Sequence, residues 1–168
     1  GQLSPEQMAS VYDRRRPVPP EQFMFGERVD RAFALQARSI FRELADDMEA
    51  PLPWVPAAVR RWLMEWPDCA RGLGRLEQLA LDAVRSGRQT PAEIFTFAAA
   101  KDTPPQFWGD TMLWAKVNSL ADRKPPLVRI EGPRPRLPQW EGIADLRQFR
   151  VFPVASDKFP LCLPSWVC

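Results

Sequence analysis

Between Asp110 and Arg123, and again at Gly132–Arg136, the chain gathers the side chains that could recognise a partner. Thr111, Lys116, Asn118, Ser119 and Arg123 would share the exposed face of one helix, and Arg134 and Arg136 follow in a proline-flanked basic turn. Hydroxyl, amide and guanidinium groups of this kind contact base edges and phosphates. The same residues also describe an ordinary solvated surface, and helices in this setting often meet proteins instead. Asp110 and Asp122 flank the set and oppose the approach of phosphate.

Catalytic chemistry finds far less material. The chain contains no histidine, which removes the commonest general base, the commonest metal ligand and every Ser-His or Cys-His nucleophile pair. A carboxylate pair could do acid–base work, yet no two acids fall together in an apolar setting. Asp46, Asp47 and Glu49 read as solvated charge at a helix end, and Arg14-Arg15-Arg16 as a cationic helix terminus. Cys69, beside Asp68 and near Arg71, is a candidate low-pKa thiol without a base to serve it. The three cysteines read as scattered free thiols, with pairing of Cys162 and Cys168 left open. No cofactor, metal or glycine-rich phosphate loop is expected.

Composition places the chain among ordinary globular proteins. Hydrophobic content of 45%, with seven Trp and ten Phe among 168 residues, suffices for a core. The balance of 23 basic and 21 acidic residues gives net +2, a weak excess for a dedicated nucleic-acid binder. Residues 1–71 carry 10 basic and 11 acidic groups, whereas residues 72–136 carry 10 and 7, net +3. No apolar run reaches the roughly 20 residues of a membrane span, and the start has no signal-peptide pattern. The expectation is a cytosolic protein.

The elements that must position the candidate residues are punctuated by proline and caps. Ser4-Pro5-Glu6-Gln7 opens a helix to about Arg14 through a capping box. Apolar residues from Phe25 to Met48 recur at helical spacing, in one helix or in two with a break near Leu35–Ser39. A further helix runs from Pro56 through Trp66, with Trp54, Trp62 and Trp66 as packing residues. Three helices follow: Gly74 to Ser86, ended by Gly87; one capped by Thr90 with Pro91 and Glu93; and one capped by Asp110 with Leu113, Trp114, Val117, Leu120 and Ala121 as its buried stripe. Leu127–Glu131 alternates as a strand, Gly132–Arg136 sits where a wing would lie, and Phe149–Val154 is the candidate returning strand. Three helices, a strand and a basic turn are the order of a winged helix, whose third helix enters the major groove when the partner is DNA.

Several short motifs appear in an order that resembles bacterial proteins carrying domain of unknown function 1835. They are Arg15-Arg16-Pro17-Val18 with Gln22, Pro51-Leu52-Pro53, Val59-Arg60-Arg61 with Leu63 and Trp66-Pro67, and Gly72-Leu73-Gly74-Arg75-Leu76-Glu77-Gln78. Thr90-Pro91-Ala92-Glu93-Ile94-Phe95, Gly109-Asp110 and Leu127-Val128 with Glu131-Gly132 continue the series. The resemblance covers residues 1 to 132 and brings no known reaction. It implies an N-terminal domain ahead of this segment. Gly74 and Leu76 stand where that family has Ser and Thr, so the helix beginning there lacks a side-chain cap of its own. Beyond Glu131 the proline-rich sequence departs from the family's pattern.

These readings give a mainly helical chain with a small β component. It comprises a helical segment at 1–71, a winged-helix-like domain at 72–136 and a proline-rich extension with short strands at 137–168. The leading functional expectation is a non-enzymatic regulatory module that binds DNA or a transcription-related protein. The alternative is a structural or protein-interaction domain serving the N-terminal domain; an enzyme built on carboxylates or a thiol comes third.

Overall fold

A computed structural model describes residues 3–139 and 145–154. Among these the fold is mainly α, with seven helices and a two-stranded antiparallel sheet. No described helix is long and apolar enough to cross a membrane. The chain divides into two compact units between Pro56 and Ala57, some fifteen residues earlier than the boundary read from the breaks at Pro67 and Gly72-Leu73-Gly74.

The first unit holds α1 (Pro5–Tyr12), α2 (Pro20–Leu35) and α3 (Arg38–Asp46). The capping box at Ser4 forms as read: Gln7 N donates to Ser4 Oγ at 3.3 Å, and Ser4 N donates to Gln7 Oε1 at 2.8 Å. The long amphipathic stretch breaks at Gln36, which adopts a left-handed φ of 49°. Ala37 N then closes onto Ala32 O at 3.1 Å, ending α2 and redirecting the chain into α3. The two helices pack through Phe25, Ala32, Phe41, Leu44 and Ala45, with the Phe33 ring edge-on to Phe41 at 4.9 Å. Met48, expected on the apolar face, is exposed, as is Trp54.

The second unit takes up the remainder of α4 (Val55–Leu63), then α5 (Arg75–Arg85), α6 (Pro91–Lys101), α7 (Asp110–Asp122), β1 (Val128–Glu131) and β2 (Arg150–Pro153). Residues Leu146–Gln148 form a 3-10 turn ahead of β2. The strands pair Val128 with Pro153, Ile130 with Val151 and Glu131 with Arg150. Alternation in β1 buries Val128 and Ile130 and exposes Arg129 and Glu131. The apolar stripes converge on one core: Leu76, Leu79, Ala80, Ala83 and Val84 from α5, Ile94 and Ala98 from α6, Leu113, Trp114, Val117 and Leu120 from α7, and the inner face of the strands. Phe149 is fully buried, and a Cβ on Gly132 would lie 2.6 Å from its ring. Gly132 therefore lets the chain leave β1 across an aromatic face.

The proline-rich region is not a separate extension where it is described. β2 completes the sheet, and Leu137 is buried in the same core. Residues 155–168, including Cys162 and Cys168, lie outside the described residues. Cys69 is disulfide-bonded, which corrects the reading of three free thiols and removes it as a candidate nucleophile.

Candidate functional site

The seven residues expected to meet a partner separate into different environments. α7 begins one residue earlier than read: Gly109 is its cap position, and Asp110 uses its carboxylate to accept from Thr111 N at 2.7 Å. Thr111 and Lys116 are half-buried. Asn118, expected on the exposed face, is 2% exposed. Its amide nitrogen donates to Leu137 O at 2.9 Å, and its oxygen accepts from Leu137 N at 2.8 Å. Both polar atoms of the Asn118 amide are thus engaged in holding the segment after the basic turn against α7. Sequence periodicity contains the signal for this, since Asn118 continues the spacing of Trp114, Val117 and Ala121.

Ser119 and Arg123 face α5. Ser119 donates to Glu77 Oε1 at 2.5 Å, while Arg123 donates to Gly72 O at 2.7 Å and lies 3.5 Å from Glu77. Arg136 pairs with Asp122 at 3.0 Å on the surface. Asn118, Arg134 and Arg136 do come together, around a small depression of about 140 Å³. The side chains of α7 that remain exposed are Asp110, Met112 and Asp122.

A polar centre that sequence reasoning missed lies where α4 meets α5 and the end of α6. Arg61 is 1% exposed. Its guanidinium donates to Glu65 Oε1 at 2.8 Å and to Asp102 Oδ2 at 3.0 Å, and Trp108 Nε1 donates to the same Asp102 oxygen at 2.6 Å. Arg75 stands 3.8 Å from the other Asp102 oxygen. Two cations therefore face two carboxylates, with Arg61, Glu65 and Asp102 buried and Arg75 at the edge, which balances charge that burial would otherwise penalise. The i, i+4 spacing of Arg61 and Glu65 was visible; their partner 41 residues from Arg61 was not.

Glu65 also solves the capping problem of α5. Gly74 has no side chain to offer, and a Cβ there would lie 2.3 Å from the Glu65 carbonyl oxygen. The close approach lets Arg75 N donate to Met64 O at 2.8 Å and Leu76 N donate to the Glu65 carboxylate at 3.2 Å. Glu77 accepts from Gly74 N at 3.2 Å. The end of α4 thus satisfies the first amides of α5, which is why residues 57–71 belong to the second unit.

An apolar groove of about 620 Å³ lies between α6, α7 and the 3-10 turn. Its floor is Phe95, Trp114 and Leu146, and Arg147 and Arg150 stand at its rim. Phe95 is fixed by ring contacts with Trp108 at 5.5 Å and Trp114 at 6.4 Å. No cluster of three or more His, Cys, Asp or Glu able to hold a metal occurs among the described residues. Comparison with protein-family models, with curated proteins and with solved structures finds no match to this chain.

Proposed function

We propose that the second unit is a winged-helix-like, non-enzymatic regulatory module that works by contacting a protein. The element order α5, α6, α7, β1, β2 supports the winged-helix reading, as does β2, whose Val151 N donates to Gln89 O in the α5–α6 connection at 2.8 Å. The observation that favours protein over DNA is the state of α7. Asn118, Ser119 and Arg123 are engaged within the fold, and the exposed remainder of the helix carries Asp110 and Asp122. With those groups held inside the fold, and Asp122 paired with Arg136, α7 keeps few free donors for base edges or phosphates. A transcription-related protein remains the partner class suggested by this fold type, and an N-terminal domain of the same protein is the alternative.

DNA contact is the second reading, favoured by the convergence of Arg134 and Arg136 with α7 and by the local net +3. Fluorescence anisotropy with labelled random-sequence duplex DNA across a salt series separates the two. The expected result is no binding at low salt. Affinity that falls steeply with salt, and weakens when Lys116, Arg123, Arg134 and Arg136 are changed to Ala, would overturn the protein reading.

A further inference from the structure

The outer face of α6 combines features that the core does not explain. The apolar groove on one side of the helix and a shallower hollow of about 740 Å³ on the other share Ala92 and Thr96. These two residues form a low ridge between the hollows. The Thr96 hydroxyl donates to Ala92 O at 2.9 Å, so the ridge offers little unmet polarity. The surface is thus continuous across the helix, with an aromatic floor on one side and the Phe97 ring, covered by Arg88 at 4.7 Å, on the other. Such length suits an elongated occupant better than a compact small molecule.

The charges around this face decide the occupant's chemistry. Each carboxylate is committed to its own chain. Glu93 accepts from Gln89 N, Thr90 N and the Thr90 hydroxyl, Asp110 accepts from Thr111 N, and Asp145 accepts from Arg147 N and Nε. The cations have donors left. Lys101 and Arg88 have no ion-pair partner among the described residues, and Arg150 uses one terminal nitrogen on the Arg147 and Phe149 carbonyls. Arg88, Lys101, Arg147 and Arg150 line the two hollows against the carboxylates of Glu93 and Asp110, so a carboxylate-bearing partner meets the better charge complement.

From this we infer that the α6 face docks an acidic amphipathic segment of a partner protein. Its aromatic or aliphatic side chains enter the groove over Phe95 and Trp114, and its carboxylates meet Arg150, Lys101 and Arg88. The inference rests on the protein-contact reading and gives it a surface and a partner chemistry.

The test is selection of displayed random linear peptides on the whole chain, followed by anisotropy with the selected peptides. Enrichment of acidic residues interleaved with aromatic or aliphatic ones is expected. Ala92→Arg, at an exposed helix position, and Arg150→Glu should each weaken binding at least about tenfold, and exchanging peptide acids for lysines should restore affinity to the Arg150→Glu protein. Binders indifferent to both substitutions would overturn the surface while leaving the protein-contact reading in place. Enrichment of basic peptides, or no enrichment, would overturn the inference. Salt-dependent DNA binding in the companion experiment would remove the reading beneath it.

Discussion

The two ends of α6 are held by the same kinds of groups at different depths. At the N-terminal end, Thr90 and Glu93 form a reciprocal capping box in water: Glu93 N donates to Thr90 Oγ1 at 3.2 Å, and Thr90 N donates to the Glu93 carboxylate at 2.9 Å. At the C-terminal end, Asp102 has a fully buried side chain and binds Arg61 and Trp108. Water can replace any bond lost at the first end. At the second it cannot, so a missing partner leaves a stranded charge. Depth, more than the number of bonds, should set how much each end contributes.

The strongest way to break that comparison is to remove one member of the buried set. Arg61→Ala should destabilise the second unit by about 3–5 kcal/mol, because Asp102 and Glu65 lose their principal cation and stay buried. Chemical denaturation followed by tryptophan fluorescence reads this directly. A loss under about 1 kcal/mol would mean that water reaches the site and that depth is not what distinguishes the two ends.

A buried neutral group sharpens the same question by separating charge from burial. Asn118→Ala removes both hydrogen bonds to the Leu137 backbone and leaves a buried N–H and C=O unpaired. The expected cost is about 1–3 kcal/mol. Hydrogen exchange at the Leu137 amide should accelerate before global unfolding does. A cost matching Arg61→Ala would make burial alone the controlling variable.

How much of this was legible depended on how far apart the partners lie in the chain. The capping boxes at Ser4 and Thr90 are local, three residues wide, and both form as the residue types dictate. The break at Gln36, the ending of α5 at Gly87 and the alternation of β1 are likewise local consequences of propensity and period. The contacts that set the fate of the candidate site are not local. Asn118 meets Leu137, Ser119 meets Glu77 and Arg123 meets Gly72, and polar residues in a helix read as wet until their distant partners are known. The domain boundary moved for the same reason, since the Glu65 carboxylate reaches the first turn of α5 across a loop. The α6 groove was not legible because nothing local to Phe95, which follows the buried Ile94, tells that it is half-buried and lines a hollow.

The exposed end of α6 should show the smallest effects, one of which is tunable by mild acid. Thr90→Ala should cost about 1 kcal/mol through the lost cap, and a change near zero would mean that α6 does not depend on this residue to start. Glu93 adds a pH signature. The Thr90 backbone N–H, followed by the Thr90 hydroxyl, holds its carboxyl below the ordinary glutamate value of 4.5. A carboxyl lowered in the folded state stabilises above its unfolded pKa, and that contribution disappears as pH falls through the folded value. Glu93→Gln keeps a hydrogen-bonding side chain without a titrating one. Wild type should therefore be the more stable above pH 4.5, with the difference shrinking on further acidification. Glu6 and Asp145, whose carboxyls are lowered by their own hydrogen bonds, titrate in both proteins and cancel in that comparison. Parallel melting temperatures for the two proteins across the whole acid range would show that the charge of Glu93 does not contribute, and that the capping box acts through hydrogen bonds alone.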